Sequence, residues 1–138
     1  MAFTNHFVIK GRLNGLNEYT EACRKSKFAG ARMKKENQQV VRLYGQNAIL
    51  KSQLRKVTNF PALFEITWYE PNANRDYDNI VFAKKFILDA LVELKILPDD
   101  SLKYVRRAND EVKIDKENPR IEVVIKEIND YGEQQNEN

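Results

Sequence analysis

Between residues 63 and 96 the apolar residues change their spacing, and this constrains the fold more than any other feature of the chain. Leu63-Phe64-Glu65-Ile66-Thr67-Trp68-Tyr69 is dense in β-branched and aromatic residues, the composition of a buried strand. Pro71-Asn72-Ala73-Asn74 breaks it. From Ile80 onward, Ala83, Ile87, Ala90, Leu91 and Leu94 recur at three- and four-residue steps. That period predicts an amphipathic helix over residues 80–96, with Asp78 or Asn79 near its N-cap and Pro98-Asp99-Asp100 as its stop. A strand followed by such a helix predicts a sheet with helices packed against it.

The flanking segments continue the pattern. Phe3 to Leu13 reads as a first strand that ends at the turn Asn14-Gly15. Residues 16–29 predict a short helix or an ordered loop, with Asn17 as a cap and Gly30 as an interruption. Ala31 to Leu54 lacks proline, and Val40, Val41, Leu43, Tyr44, Ala48, Leu50 and Leu54 form an imperfect helical stripe. This predicts a long helix, bent at Gly45 and stopped by Asn59-Phe60-Pro61. Further strands are expected at Leu102–Arg107 and at Arg120–Ile128, where Ile121, Val123 and Ile125 alternate with Glu122, Val124 and Lys126. The order β-α-β-α-β-β predicts an α/β (α+β) domain with a small mixed sheet over residues 1–128, then a polar, disordered tail at 129–138. A chain of 138 residues suits one such core.

Composition narrows the chemistry. No apolar run approaches the eighteen or so residues of a membrane helix, and the Met1 end lacks a signal-peptide core, so a soluble, cytoplasmic protein is expected. One cysteine, Cys23, and one histidine, His6, supply poorly either a Cys/His zinc site or a serine-type triad. Carboxylates and lysines are left to carry any reaction. They are unevenly placed: residues 1–69 hold 12 Lys and Arg against 4 Asp and Glu, whereas residues 70–138 hold 11 against 16. Arg24, Lys25, Lys27, Arg32, Lys34 and Lys35 occur between Ala22 and Lys35 with no acid among them. Such a run suits a polyanion and equally suits a solvated helix face. Carboxylates favour nucleic-acid binding only where a metal sits between them and the phosphate.

Asp76 and Asp78 are two residues apart, so in an extended segment both point to one side. Were Asp100 brought back to them, three converging carboxylates would need compensation, and Mg²⁺ is the usual ion for oxygen ligands that keep exchangeable waters. The same residues also fit a loop, a helix cap and a Pro-Asp-Asp turn, so both readings stand. Lys85, seven residues after Asp78, falls on nearly the same face of a continuous helix, within reach of a phosphate held there. Lys84 points about 100° away.

These residues carry a resemblance. Asp76-Tyr77-Asp78-Asn79, then Lys85-Phe86-Ile87-Leu88-Asp89-Ala90-Leu91, then Asp99-Asp100 is similar to the RusA family of Holliday junction resolvases over about residues 75–107. Gly15-Leu16-Asn17-Glu18-Tyr19 and the basic run after it resemble, more loosely, members from Gram-positive bacteria and their phages. In the family pattern the lysine follows the second aspartate by four residues, whereas here it follows by seven, about one helical turn more.

The resemblance implies a homodimeric, Mg²⁺-dependent endodeoxyribonuclease that resolves four-way DNA junctions by paired symmetric nicks, with Mn²⁺ as a substitute metal. Asp76, Asp78 and Asp100 would bind the metal and Lys85 would act as the active-site lysine. Arg24, Lys25, Lys27, Arg32, Lys34 and Lys35 would contact the backbone phosphates of the junction arms. Neither a membrane nor a small-molecule substrate is expected. Two alternatives remain: a nuclease for other branched or single-stranded nucleic acid, and a DNA-binding module without catalysis.

Overall fold

Two-residue alternation shapes β1 (Asn5–Lys10), in which Asn5, Phe7 and Ile9 are buried. It also shapes β2 (Ala62–Glu70) and β4 (Arg120–Lys126), whereas β3 (Val105–Ile114) is exposed along most of its length. In the computed structural model, which describes residues 3–127, these strands form one sheet in the order β1-β4-β2-β3. β4 is antiparallel to both β1 and β2, and β3 is parallel to β2, so β1, β2 and β3 all run the same way.

Register places Phe7, Ile9, Phe64, Ile66, Trp68, Ile121, Val123 and Ile125 on one face, all buried. The helices cover that face: α1 (Leu16–Lys25), α2 (Lys27–Leu50), α3 (Tyr77–Val81) and α4 (Lys84–Glu93). Val41 and Ala48 of α2, Ile80 of α3, and Phe86, Ile87, Ala90 and Leu91 of α4 join the sheet residues in one core. Each large aliphatic or aromatic side chain so buried stabilises the fold by about 1.5–3 kcal/mol. His6, Val8, Lys10, Glu65, Thr67, Tyr69, Glu122 and Val124 turn to the other face, half-buried or exposed. The chain is therefore an α+β domain with helices on a small mixed sheet, as its periodicity predicts.

The element boundaries differ from expectation in several places, β1 among them, which spans Asn5–Lys10 within the expected Phe3–Leu13. Residues 16–29 contain α1 and the start of α2, separated by the single extended residue Ser26, whose hydroxyl accepts the Ala29 N–H at 3.0 Å. Gly30 lies within α2 and does not interrupt it; a Cβ there would stand 2.6 Å from Cys23 Sγ, so the glycine lets the two helices approach. Residues 27–50 form one element containing Gly45, and α2 ends at Leu50, before Leu54.

The helix expected over 80–96 is two helices. Ala83 N–H donates to Ile80, Lys85 to Phe82 and Phe86 to Ala83, the three-residue reach of a 3₁₀ turn. β3 continues to Ile114, past the expected end at Arg107. Ile128 and the tail at 129–138 lie outside the described residues. Trp68 and Phe86 are core, and Phe82 and Tyr104 pack partly buried against it.

Candidate nucleic-acid and metal site

The C-terminal end of β2 delivers the chain to the aspartate motif. Its last residue, Glu70, is only 3% exposed, and a buried carboxylate needs partners. Arg75 supplies a two-pronged contact, Nε at 3.0 Å and Nη2 at 2.8 Å, and Arg12 Nη1 adds a third at 3.3 Å. Arg75 Nη1 also donates to the Leu13 carbonyl at 3.3 Å and to Glu18 Oε1 at 3.5 Å. One carboxylate thereby ties the β1–α1 turn to the loop that precedes Asp76. A cleft of about 670 Å³, lined by Arg12, Asn14, Glu18, Asn72, Asn74 and Arg75 among others, opens at this end of the sheet.

Asn79 makes the second tie. It is 6% exposed, and its Oδ1 accepts the Asn17 N–H in the first turn of α1 at 2.8 Å. Glu18 Oε1 accepts the Gly15 N–H at 2.8 Å, so two N–H groups at the start of α1 are satisfied by side chains. A Cβ on Gly15 would sit 2.4 Å from Asn79 Oδ1 and 2.5 Å from its carbonyl oxygen, so α1 reaches α3 only with glycine there. Tyr19, Phe82 and Phe86 reinforce the contact, with ring centroids 5.5–6.0 Å apart.

The motif carboxylates are distributed by this frame. Asp76 is the N-cap residue of α3 without a side-chain capping bond, and Asp78 lies in its first turn; both are exposed. Among the described residues neither carboxylate joins a hydrogen bond or an ion pair, and the same holds for Asp99 and Asp100. Asp100 is elsewhere. It precedes β3, whose first residue, Val105, pairs with Ala62 at the start of β2, whereas Asp76 and Asp78 follow the far end of β2. Eight strand steps separate those ends by about 26 Å. The extended segment expected at Asp76 and Asp78 is instead the start of a helix, with Asp76 at the N-cap of α3 and Asp78 in its first turn, so a shared side does not follow from their spacing, and no group of three potential metal-ligating side chains is gathered among the described residues.

The lysines are sorted by the 3₁₀ turn. A residue there advances about 120°, against 100° in an α-helix, so the facing of Lys85 relative to Asp78 is not that of a continuous helix. Lys85 is exposed and without a partner among the described residues. Lys84 is the one turned inward, donating to Asp110 Oδ2 on β3. Trp68 Nε1 donates to Asp110 Oδ1 at 2.9 Å, so this 6%-exposed carboxylate is held from both sides. Sequence spacing did not single out Asp110, Glu70 or Arg12: Asp110 and Arg12 meet their partners from distant elements, and Glu70 meets Arg75, five residues on, where the chain turns after β2.

Five of the six predicted DNA-contact residues, Arg24, Lys25, Lys27, Arg32 and Lys35, are exposed and unpaired among the described residues. Lys34 reaches Asp89 Oδ2 at 3.7 Å. These cations sit at the junction of α1 and α2. Arg24 and Lys25 complement the dipole at the end of α1, whereas Lys27, in the first turn of α2 where no acid stands, opposes it. α1 has ten residues, about 15 Å, which is the distance along its axis from the Asn79 contact to this basic surface.

No family model matches the chain, and no curated protein matches it significantly. No helix among the described residues is long and apolar enough to cross a membrane.

Proposed function

We propose that the chain is a metal-dependent endodeoxyribonuclease acting on branched DNA, with four-way junctions cut by paired nicks, as the RusA-like motif implies. The observation that carries this reading is the pair Asp76 and Asp78, exposed and unpaired, fixed by Asn79 and Arg75 at one end of α1 while unpaired cations crowd the other. Mg²⁺ is bound through one or two carboxylates together with substrate phosphates and water, so these two aspartates fit it without Asp100. Mn²⁺ suits the same oxygen donors. When bound, the ion would polarise a phosphodiester and make a bound water more acidic.

The residues of the chain do the rest. Arg24, Lys25, Lys27, Arg32 and Lys35 hold backbone phosphates, and the α1–α3 ties set the distance from those phosphates to Asp76 and Asp78. Lys85, free of partners, neutralises charge on a phosphate near α4. Two symmetric cuts call for a twofold pair of sites, which a homodimer supplies.

The test is cleavage of synthetic four-way junctions by wild-type protein and Asp78→Asn, with Mg²⁺ and with EDTA. Symmetric nicks that require Mg²⁺ and vanish in the variant are expected; equal cutting of a matched linear duplex would remove junction selectivity. A second reading, a DNA-binding module without catalysis, is favoured by the separation of Asp100 from the other two aspartates. It predicts tight junction binding with no product under either metal.

A further inference from the structure

Phe28, the second residue of α2, is 84% exposed and makes no ring contact among the described residues, and the part of α2 that joins the core begins only at Val41. A ring this exposed contributes little to stability through burial. Its surroundings are equally specific. Arg32 lies one turn along the same face, and a cleft of about 490 Å³ between them is lined by Ala31, Lys34, Lys35 and Gln38. Arg24 and Lys25 close α1 and Lys27 opens α2, immediately before Phe28 in the chain. A flat exposed ring sharing one cleft with the unpaired Arg32 and Lys35 suits a ligand that is both flat and anionic.

We infer that Phe28 is a base-stacking platform, taking an unpaired nucleobase on its ring while Arg32, Lys35 and their neighbours hold the flanking phosphates. Every base has a flat π-face, so an exposed ring in a basic groove binds single-stranded nucleic acid with little regard to sequence. Duplex DNA offers no such face, because its bases are stacked on one another. This inference rests on the proposed function and adds the feature of the substrate that is recognised: a strand with unstacked bases at the branch, not the paired arm. About 15 Å separates this surface from the Asn79 contact along α1.

The test measures binding in EDTA, so that cutting plays no part, of a 12-nucleotide thymidine strand, a matched duplex and a four-way junction. Phe28→Ala, Phe28→Tyr and Arg32→Ala are compared with wild type over a range of salt. Phe28→Ala is expected to weaken single-strand binding about tenfold, leave duplex binding unchanged and leave the salt slope intact. Phe28→Tyr restores the affinity, and Arg32→Ala lowers binding to all three probes with a slope shallower by about one. Phe28 is a surface residue and alanine is a good helix former, so the variant keeps its fold, which its thermal midpoint checks. Equal affinities of wild type and Phe28→Ala for the single strand, or an equal loss on strand and duplex, would overturn the stacking role alone. Failure of wild-type protein to bind any of the three DNAs at low salt would overturn the nucleic-acid reading beneath it.

Discussion

At Gly15 a single hydrogen atom decides whether two helices meet. Alanine would push a methyl group against both the side chain and the backbone oxygen of Asn79, and a backbone atom cannot swing aside. Gly15→Ala is therefore expected to cost about 1–3 kcal/mol, read as a lower thermal midpoint. Asn79→Ala leaves the Asn17 N–H without its acceptor and should cost a similar amount, about 1–3 kcal/mol. Asp78→Asn, exposed and unpaired, should leave the apo midpoint nearly unchanged, which separates it from its neighbour one residue on. The sequence distinguished these residues poorly. Asn79 was readable as a helix cap, but its bond runs to a backbone N–H 62 positions earlier, and no local spacing encodes that partner.

Elements were legible where one face is apolar. β1, β2 and β4 alternate because the helices bury every second residue, and their positions follow from the periodicity. β3 was read only to Arg107 because an edge strand buries little: Val105 alone is fully enclosed, and Asp110 occupies a core-side position of the register. That aspartate faces inward only because Trp68 and Lys84 satisfy it. Asp110→Asn should destabilise the protein by about 2–3 kcal/mol and change the emission of Trp68, the sole tryptophan.

The break between α3 and α4 was hidden for the opposite reason, since Ile80, Ala83 and Ile87 keep an apolar rhythm through a 3₁₀ turn. At the β3–β4 connection, Arg120 bonds the Asp115 carboxylate at 2.8 Å, and Asn118 N–H adds a further bond, holding that carboxyl below its ordinary value. Its contribution is present above the unfolded aspartate value of about 3.9 and is lost as pH falls through the lowered folded value. Thermal scans should show wild type more stable than Asp115→Asn near neutrality, the difference vanishing as pH falls through that acid window.

For the whole molecule, the asymmetry between a basic first half and an acidic second half becomes a geometry: α1 carries cations away from the end at which α3 holds its aspartates. Charge patterning made both halves visible in the sequence, and the resemblance grouped Asp76, Asp78 and Asp100. The grouping depended on chain direction. Because β3 runs parallel to β2, the chain must return along the sheet before β3 begins, and Asp100 is left at the other end. If Asp76 and Asp78 hold Mg²⁺, saturation at a hundred times its dissociation constant should stabilise the fold by about 2.7 kcal/mol, seen as a raised midpoint that Asp78→Asn abolishes and Asp100→Asn retains.

The two borders of the sheet are unlike. On β1 the His6 N–H is taken by the Gln53 carbonyl and Asn5 exchanges bonds with Arg55, whereas the outer border of β3 has no backbone partner among the described residues. Along this ten-residue strand every second residue turns its N–H and C=O to that border, a template for strand addition, and Arg106, Arg107, Glu111 and Lys113 guard it only by charge. Concentrated salt, which shortens the reach of those charges to a few ångströms, removes the guard without unfolding anything. Prolonged storage of this protein in molar salt should therefore seed fibrils that bind thioflavin, and replacing Val112 with proline on that strand should delay them.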